Sequence, residues 1–421
     1  MSQTVIRNAR VFCRNQVVLS DVLIERGIIA KIGSVRAGGH EIDARGRLLL
    51  PGAIDAHVHF RDLDEAYKED WYSGSCAAAA GGVTTVIDQP NSKPPVCDER
   101  SYFRKQRAAR KSVVDYGINA GIEKLDQLDD LWRLGVTAFG EVFVQEKSRE
   151  ELHHALQTIK RLNAVLCVHA ERRVGEISSE LVGIKTVLAC NKEIRAKVHV
   201  SHLSEASGLD FVRGSDQDVS FEVTPHHLFL SDLDLARLGP FGIMNPPLRS
   251  RQNVDILWSS LRHIDMIASD HAPHSIADKN MSFPPPGVPG VQTLLPLLLA
   301  RLDQISLERL VNLVSASPAA RFNLKNKGAI RQGYDADLIL IDPNDRKIIT
   351  PNVLYSKCGW TPFEGCAAVF PSFTMVRGEV VFSEGSIKVK KGWGSQVCRA
   401  GLRQRDSRFY HKNDRPNARQ N

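Results

Sequence analysis

The middle of the chain repeats one pattern, in which a short apolar run typical of a buried β-strand is followed by a stretch with helical periodicity. Strands that alternate with helices form parallel sheets, because a crossover helix joins neighbouring parallel strands. Eight such runs fit a closed barrel, so the pattern predicts an α/β fold of the (β/α)8 TIM-barrel type. The predicted strands span 53–59, 83–88, 116–120, 138–144, 164–169, 197–202, 219–224 and 264–269, and the helical stretches between them include 72–80, 101–112, 148–162 and 182–195.

The two ends of the chain carry a different pattern. Short β-branched runs separated by turn residues fill the first 50 residues and return in segments such as Asp337-Leu-Ile-Leu-Ile-Asp342. We predict one small β-sandwich built from residues 1–50 plus 333–400, with the barrel formed by residues 51–332. Residues 401–421 are predicted to form a basic, disordered tail.

Five candidate metal ligands stand at the ends of apolar runs, in the order His57, His59, His169, His202 and Asp270. Barrel enzymes take their catalytic residues from the carboxyl ends of successive strands, so these side chains are expected to converge. Imidazole and carboxylate groups bind Zn²⁺ and its neighbours, which indicates a metal-dependent hydrolase. A single histidine in such a run is more often a core residue, so the prediction depends on the whole set.

Spacing within the runs supports the choice of ligands. His57 and His59 are two residues apart and therefore share one face of a strand, from which both imidazoles can reach one ion. His199 competes with His202, and we favour His202 because it ends the predicted strand. Asp270 can bind a metal and also carry a proton during turnover, although a buried aspartate that only caps a loop is the alternative.

Glu141 lies in the apolar run Ala138-Phe-Gly-Glu-Val-Phe143. An ionised carboxylate is costly to bury without a partner, and metal coordination supplies that partner. An ordinary ion pair or a solvated strand end is the alternative for Glu141.

Composition narrows the class of protein. A hydrophobic content of 43% and a charged content of 24% are ordinary for a globular enzyme. No apolar run reaches the roughly 20 residues that span a membrane, and the first residues lack a secretory hydrophobic region. The eight cysteines are scattered without a Cys-x-x-Cys pair, and several lie in apolar runs that predict buried thiols. These features favour a cytoplasmic protein.

The formal net charge is +7, and much of the excess lies in residues 399–419. A basic tail can meet nucleic acid or an acidic partner, but a solvated terminus is the simpler interpretation. No basic patch interleaved with aromatic residues occurs in the sequence, so nucleic-acid binding is not expected.

The motifs around these residues resemble the amidohydrolase superfamily and, within it, the type I dihydroorotases, including the dihydroorotase domain of the animal multifunctional pyrimidine-synthesis protein. The resemblance covers nearly the whole chain, and its motifs are together highly specific. The matching segments are Pro51-Gly-Ala-Ile-Asp-Ala-His-Val-His-Phe-Arg-Asp62, Lys68-Glu-Asp70, Ala80-Gly-Gly-Val-Thr84, Gln89-Pro-Asn91, Glu222-Val-Thr-Pro-His-His-Leu228, Met244-Asn-Pro-Pro-Leu-Arg249, Ser269-Asp-His-Ala-Pro-His274, Pro285-Pro-Gly-Val-Pro-Gly290 and Trp360-Thr-Pro-Phe-Glu-Gly365.

The resemblance implies two metal ions per chain, usually Zn²⁺ although other divalent ions also serve. It assigns His57, His59 and Asp270 to one ion, and His169 and His202 to the other. In the family, the carboxylate that bridges the ions is commonly a carboxylated lysine. Glu141 occupies the corresponding place here, which keeps the charge and both oxygens on a shorter side chain.

The substrate-binding residues implied by the resemblance are Arg61, Asn91, Asn245 and His274. Arg61, Asn91 and His274 match the groups that bind the carboxylate of dihydroorotate, a task that suits a planar guanidinium. Asn245 matches a residue that touches the pyrimidine ring. An ion pair with Asp62 or Asp64 is the alternative for Arg61.

The implied reaction is the reversible hydrolysis of the cyclic amide of (S)-dihydroorotate to N-carbamoyl-L-aspartate by a metal-bound hydroxide, with Asp270 as the catalytic proton carrier. It is the third step of de novo pyrimidine (UMP) biosynthesis. Two alternatives stay open: another cyclic amidohydrolase, such as a hydantoinase or an allantoinase, and a catalytically silent scaffold that binds aspartate transcarbamoylase. The resemblance is also compatible with a homo-oligomer.

Overall fold

The computed structural model describes residues 3–36, 39–171, 179–397 and 399. The predicted basic tail, residues 401–421, and Cys398 lie outside the described residues. The strands are β1 Gln3–Cys13, β2 Gln16–Glu25, β3 Ile28–Ile32, β4 His40–Asp43, β5 Leu48–Pro51, β6 Ala53–Val58, β7 Val83–Asp88, β8 Asp115–Ile118, β9 Phe139–Phe143, β10 Val165–His169, β11 Lys197–Val200, β12 Val219–Val223, β13 Met266–Ile267, β14 Leu338–Ile341, β15 Arg346–Ile348, β16 Ala367–Val369, β17 Phe373–Val376, β18 Glu379–Ser383 and β19 Ser386–Ile387.

The α-helices follow most of the barrel strands. They are α1 Trp71–Ala80, α2 Glu99–Ala109, α3 Leu128–Leu134, α4 Arg149–Leu162, α5 Ser179–Asn191, α6 Ala206–Arg213, α7 Pro225–Phe229, α8 Leu235–Leu238, α9 Arg251–Ser259, α10 Ile276–Lys279, α11 Leu294–Leu299, α12 Leu307–Val311 and α13 Ser317–Arg321. Short 3₁₀ turns span Leu63–Glu65, Leu125–Gln127, Val144–Glu146, Asp232–Asp234, Gly239–Gly242, Leu261–His263 and Pro351–Val353, and a π turn spans Asn312–Ala316. Within the described ranges, no helix is both long and apolar enough to cross a bilayer.

Strands β6 to β13 form the predicted barrel of eight parallel strands. Strands β6 to β8 pair in one run and β9 to β13 in another. Two parallel bridges join the runs, one from Ala120 to Phe139 and the other from Val58 to His271. Strand β13 is shorter than predicted, because the chain turns away from β12 toward β6 after it. Ala268 N still donates to Val223 O of β12 at 3.1 Å, whereas His271 O accepts from His59 N, next to β6, at 2.8 Å. The turn places Asp270 at the mouth of the barrel.

The ends of the chain combine in one nine-stranded sheet, in the order β19-β18-β17-β14-β5-β1-β2-β3 with β4 beside β1. The contact between the two ends is the antiparallel pair of β5 with β14, in which Leu50 faces Ile339. The sheet encloses its own apolar core, which includes Ile6, Val22 and Met375. This arrangement confirms the predicted fold class, a TIM-like barrel with a small β-domain built from both termini.

The helices begin where the sequence supplies caps. Asp70 and Ser148 form capping boxes at the starts of α1 and α4, and each side chain accepts hydrogen bonds from the first turn of its helix. Helix α4 is amphipathic and buries Leu152, Leu156 and Ile159 against the barrel. The helices therefore form an outer layer that leaves the carboxyl ends of the strands open.

A buried ion-pair cluster joins the barrel to the terminal sheet. Lys327 Nζ lies 2.6 Å from Asp115, 2.9 Å from Asp335 and 2.6 Å from Asp337. Asp115 begins β8 of the barrel, and Asp337 directly precedes β14 of the sheet. Burial lowers the pKa of Lys327, but the neighbouring carboxylates outweigh it and hold the pKa above its usual value. Because the ammonium already sits among the three carboxylates, we interpret the cluster as an ion pair and not as a metal site.

Replacing Lys327 with Met is expected to destabilise the fold by about 3–5 kcal/mol, since removing one member of a buried ion pair leaves uncompensated charge. The measurement is the shift in the midpoint of thermal or denaturant unfolding. Lys347→Met is the matched control, because Lys347 pairs with Asp345 on the surface and is 59% exposed. Equal midpoints for the two variants would contradict the role given to Lys327.

Candidate metal centre

The six predicted metal ligands meet at the carboxyl end of the barrel. They are His57 and His59 at the end of β6, Glu141 in β9, His169 at the end of β10, His202 after β11 and Asp270 after β13. All six side chains are buried. The sequence separates the first and last by more than 200 residues, so only the barrel closure brings them together.

The first group of donors is formed by His57, His59 and Asp270. The Nε2 atoms of the two histidines are 3.3 Å apart. Asp270 Oδ1 lies 3.1 Å from His59 Nε2 and 3.5 Å from His57 Nε2. Three donor atoms from two barrel strands therefore face one point.

The second group is formed by His169 and His202. His169 Nδ1 lies 3.1 Å from His202 Nε2, and both rings face the same carboxylate oxygen. That oxygen, Glu141 Oε1, is 2.6 Å from His202 Nε2 and 3.1 Å from His169 Nδ1.

Glu141 lies between the two groups. Its other oxygen, Oε2, is 3.8 Å from Nε2 of both His57 and His59 and accepts a hydrogen bond from Asn91 Nδ2 at 3.1 Å. Within the described ranges, no lysine or arginine nitrogen lies within 4 Å of this carboxylate, and its near neighbours of opposite charge can only be histidines. Each oxygen of Glu141 serves one pair of histidines.

The residue before Glu141 has to be a glycine. Gly140 has a φ of 112°, and a Cβ atom there would overlap the carbonyl oxygen of Cys167 on the neighbouring strand. Gly140 N donates to Ala120 O at 2.8 Å, which joins β9 to the strand on its other side. This close approach of three strands sets the position of Glu141.

The donor set fits a divalent metal. At the Zn–N distance of about 2.0–2.1 Å, two ligand atoms of a tetrahedral ion stand about 3.3–3.4 Å apart. The spacings of 3.3 Å between His57 and His59 and 3.1 Å between His169 and His202 are close to that value. Histidine nitrogen with carboxylate oxygen is also the ligand chemistry of catalytic zinc and related ions.

The pKa shifts at the site show that its carboxylates favour a bound positive charge. Burial lowers the pKa of His57, but the carboxylates of Glu222 and Glu141 outweigh it and hold that pKa well above its usual value. Burial raises the pKa of Glu141, but His57, together with hydrogen bonds from His169 and His202, holds it well below its usual value. Burial raises the pKa of Asp270, but the hydrogen bond with His59 and the charges of His57, His202 and His59 together lower it below its usual value. Concentrated buried negative charge favours positive charge at this place, whether a proton or a metal ion.

Sequence reasoning did not assign a role to Glu222 and His199 at this site. Glu222 Oε1 lies 2.6 Å from His57 Nδ1, and its other oxygen lies 3.1 Å from His199 Nε2. A carboxylate that binds one ring nitrogen orients the other nitrogen of the same ring toward a metal. The signal that could have found Glu222 is the one that found Glu141, a carboxylate within the apolar run of a barrel strand.

Arg61 and His274 lie together beside the metal centre. Arg61 Nη2 is 3.2 Å from His274 Nε2, and Arg61 Nε donates to Pro273 O at 3.3 Å. Burial lowers the pKa of His274 to about 3, an effect that Arg61 increases, so the ring is neutral near pH 7. The two acids next to Arg61 in the sequence have other partners, since Asp62 pairs with Lys111 and Asp64 with Arg104. Among the described residues no carboxylate lies within 4 Å of the Arg61 guanidinium.

Asn91 and Asn245 contact different candidate ligands of the metal centre. Asn91 donates to Glu141, and Asn245 Nδ2 lies 3.3 Å from His169 Nε2. The Oδ1 atoms of both asparagines and Nδ1 of His274 are shielded from solvent and have no hydrogen-bond partner in the described part of the chain. Buried polar atoms are almost always paired, so these three indicate where a polar ligand binds.

The fold and the site together define a class of protein. The model of the amidohydrolase family matches residues 48–381, which include every strand of the barrel and all six candidate ligands. The chain belongs to the amidohydrolase family, whose members are metal-dependent, and the resemblance stated from the sequence motifs is confirmed.

Within that family, the chain is similar to archaeal proteins named dihydroorotase. It is 42% identical to the dihydroorotase of Methanosarcina mazei, covering 92% of this chain and 96% of that protein. It is 38% identical to the dihydroorotase of Halobacterium salinarum, covering 89% and 98%. Among solved structures, the L-hydantoinase (dihydropyrimidinase) of Arthrobacter aurescens superposes with a TM-score of 0.90 at 28% identity, covering 95% of this chain and all of that one.

Replacing Glu141 with Ala is expected to lower the metal content by at least one ion per chain relative to the unmodified protein, because His169 and His202 lose their shared carboxylate. Elemental analysis of protein purified with Zn²⁺ provides the measurement. Glu146→Ala is the matched control, since Glu146 lies five residues further along and is exposed. An unchanged metal content and a near-normal rate in Glu141→Ala would remove Glu141 from the site.

Proposed function

We propose that this chain is a dihydroorotase that interconverts dihydroorotate and N-carbamoyl-L-aspartate. The observation that carries the proposal is Arg61, a cation that lies beside the metal centre with no carboxylate partner among the described residues. A guanidinium in this position suits a substrate carboxylate, which it can bind through two hydrogen bonds. The names of the archaeal relatives support the same reaction.

We propose two Zn²⁺ ions per chain. His57, His59 and Asp270 would hold one, His169 and His202 the other, and Glu141 would contribute an oxygen to each. When bound, the ions polarise the amide carbonyl of the substrate and make water nucleophilic near neutral pH.

Asp270 is the proposed proton carrier. Its carboxylate is ionised near neutral pH and lies 3.1 Å from His59 at the centre of the site, so it can accept a proton that water loses as the new C–O bond forms. The same proton then passes to the ring nitrogen as the amide C–N bond breaks. The second proton of the water is released to solvent, so the product carries one more carboxylate than the substrate. In the biosynthetic direction Asp270 removes a proton from the carbamoyl nitrogen as the ring closes and water leaves.

The polar atoms around the centre have matching roles in substrate binding. Arg61 compensates the charge of the substrate carboxylate. His274 Nε2 lies 3.2 Å from Arg61 Nη2, so both side chains line the same part of the pocket. The unpartnered Oδ1 atom of Asn245 can accept a hydrogen bond from a ring N–H group of a cyclic amide. Asn91 Nδ2 uses one N–H for Glu141, and its second N–H can bind the substrate carboxylate together with Arg61 and His274. A ring with a carboxylate at one edge and N–H groups at another therefore satisfies each side of the pocket.

Two other functions are distinguished by experiment. The structural likeness to hydantoinases favours hydrolysis of an uncharged cyclic amide, but such a substrate leaves Arg61 unpaired. A catalytically silent scaffold that binds a second pyrimidine enzyme, such as aspartate transcarbamoylase, is the other candidate, because Glu141 replaces the usual lysine. Every other candidate ligand is in place, which favours an active enzyme.

Replacing Arg61 with Met is expected to raise KM for dihydroorotate at least about tenfold, because a hydrogen bond to a charged group contributes about 1.5–3 kcal/mol. Steady-state kinetics with dihydroorotate, and with hydantoin for comparison, provide the measurement. Arg104→Met is the matched control, because that arginine is exposed and pairs with Asp64. Unchanged kinetics in Arg61→Met, or faster turnover of hydantoin than of dihydroorotate by the unmodified enzyme, would contradict the proposed substrate. No turnover by metal-replete enzyme that co-purifies with a partner would favour the scaffold.

Turnover is expected to be independent of bicarbonate, because the position of the bridging carboxylate holds Glu141 and no lysine needs to be carboxylated. The measurement compares initial rates after removal of dissolved carbon dioxide with rates in added bicarbonate. Glu141→Lys is the matched comparison, and its rate should rise when bicarbonate is supplied. A bicarbonate requirement in the unmodified enzyme would show that another residue supplies the bridge.

A further inference from the structure

We propose that Lys279 is a positioning residue for the substrate-carboxylate pocket, which is formed by Arg61 and His274. Lys279 lies outside this pocket and fixes the loops that surround it. Lys279 ends the short helix α10, five residues after His274, and its side chain is fully buried. A buried ammonium is costly unless every N–H group is paired. The partners of Lys279 therefore show what the residue does.

Three backbone carbonyl groups surround the ammonium. Lys279 Nζ donates to Ile243 O at 2.9 Å, to Pro285 O at 3.0 Å and to Gly287 O at 3.2 Å. An ammonium has three N–H donors, so one side chain satisfies three carbonyls from two separate loops. Within the described ranges, no carboxylate lies within 4 Å of this ammonium, so its interactions are with the backbone and not with an acid.

Both loops carry groups of the proposed substrate site. Ile243 lies two residues before Asn245, which contacts His169 of the metal centre. Pro286, between the other two acceptors, has its carbonyl oxygen 3.0 Å from His274 Nε2. Lys279 thus connects the loop of Asn245 to the loop that contacts the ring of His274.

A fourth segment, from the carboxyl-terminal part of the chain, contacts both Lys279 and His274. The ring of Trp360 lies 5.7 Å from Lys279 Nζ, at the distance of a cation–π interaction. Trp360 Nε1 donates to His274 O at 2.8 Å. Lys279 and Trp360 therefore hold His274 through its neighbouring loop and through its own backbone.

This inference rests on the proposed function, because the pocket is named for the substrate carboxylate. Lys279 acts through the loops and is not itself a group that binds substrate. Loss of its positive charge and its three hydrogen bonds should therefore weaken binding of a carboxylate more than it slows the chemical step. In kinetic terms, KM should rise while kcat changes little.

The test compares Lys279→Met with Asn280→Ala in the full-length, metal-replete protein. Asn280 directly follows α10 as its C-cap, is exposed, and serves as the control for a general effect on α10. For Lys279→Met we expect KM for dihydroorotate to rise about tenfold with kcat within about threefold, and affinity for orotate, measured by calorimetry, to fall by a similar factor. Trp360→Phe, which removes the N–H to His274 O, should show a smaller shift of the same kind.

Hydrogen–deuterium exchange provides a readout that does not depend on activity. Backbone amides of residues 241–246 and 284–290 should exchange faster in Lys279→Met than in Asn280→Ala, while exchange in the barrel strands stays the same. Unchanged exchange in these two loops, or unchanged KM and orotate affinity, would overturn the inference. If the unmodified enzyme did not turn over dihydroorotate, the proposed function would fail, and the exchange comparison would still decide the role of Lys279.

Discussion

The structure depends on the burial of negative charge at the mouth of the barrel. Glu141, Asp270 and Glu222 lie within a few ångströms of five histidines, and all are shielded from solvent. Carboxylates in such a place are strongly unfavourable unless cations compensate them, and neutral imidazoles compensate only when they bind a proton or a metal. A bound divalent ion would therefore stabilise the barrel mouth as well as supply its chemistry, and metal binding would be coupled to folding through the same residues.

The meeting of the candidate ligands could largely be predicted from the sequence, because barrel geometry relates strand ends to one another in a fixed way. Parallel strands present their carboxyl ends at one face, so a histidine or aspartate at each strand end has to meet the others there. The eight predicted strands lie within a few residues of β6 to β13, and the predicted His57, His59, His169 and His202 meet at that face. The choice of His202 over His199 could also be made from its position at the end of the run.

Other parts of the site could not be predicted from local pattern. Lys279 lies in a short polar helix, and nothing in its neighbourhood indicates that it is buried against loops near residues 243 and 286. Trp360 comes from the segment between β15 and β16, which returns to the barrel after the terminal sheet has been reached. Such contacts depend on how loops of unrelated sequence converge, and sequence periodicity carries no information on that. The carboxyl-terminal part of the chain thus contributes to the barrel site as well as to the sheet.

The two carboxylate oxygens of Glu141 lie at unequal distances from the two groups of histidines. Its Oε1 is 2.6 Å from His202, whereas its Oε2 is 3.8 Å from both His57 and His59. The first group does not depend on that oxygen alone, because Asp270 lies 3.1 Å from His59 and supplies a second carboxylate. The group of His169 and His202 has Glu141 as its nearest carboxylate, and Glu171 approaches only to 3.9 Å from His169. The carboxylate of Glu141 is therefore shared unevenly between the two groups, and of the two ions proposed, the one held by His169 and His202 would depend on Glu141 more than the other.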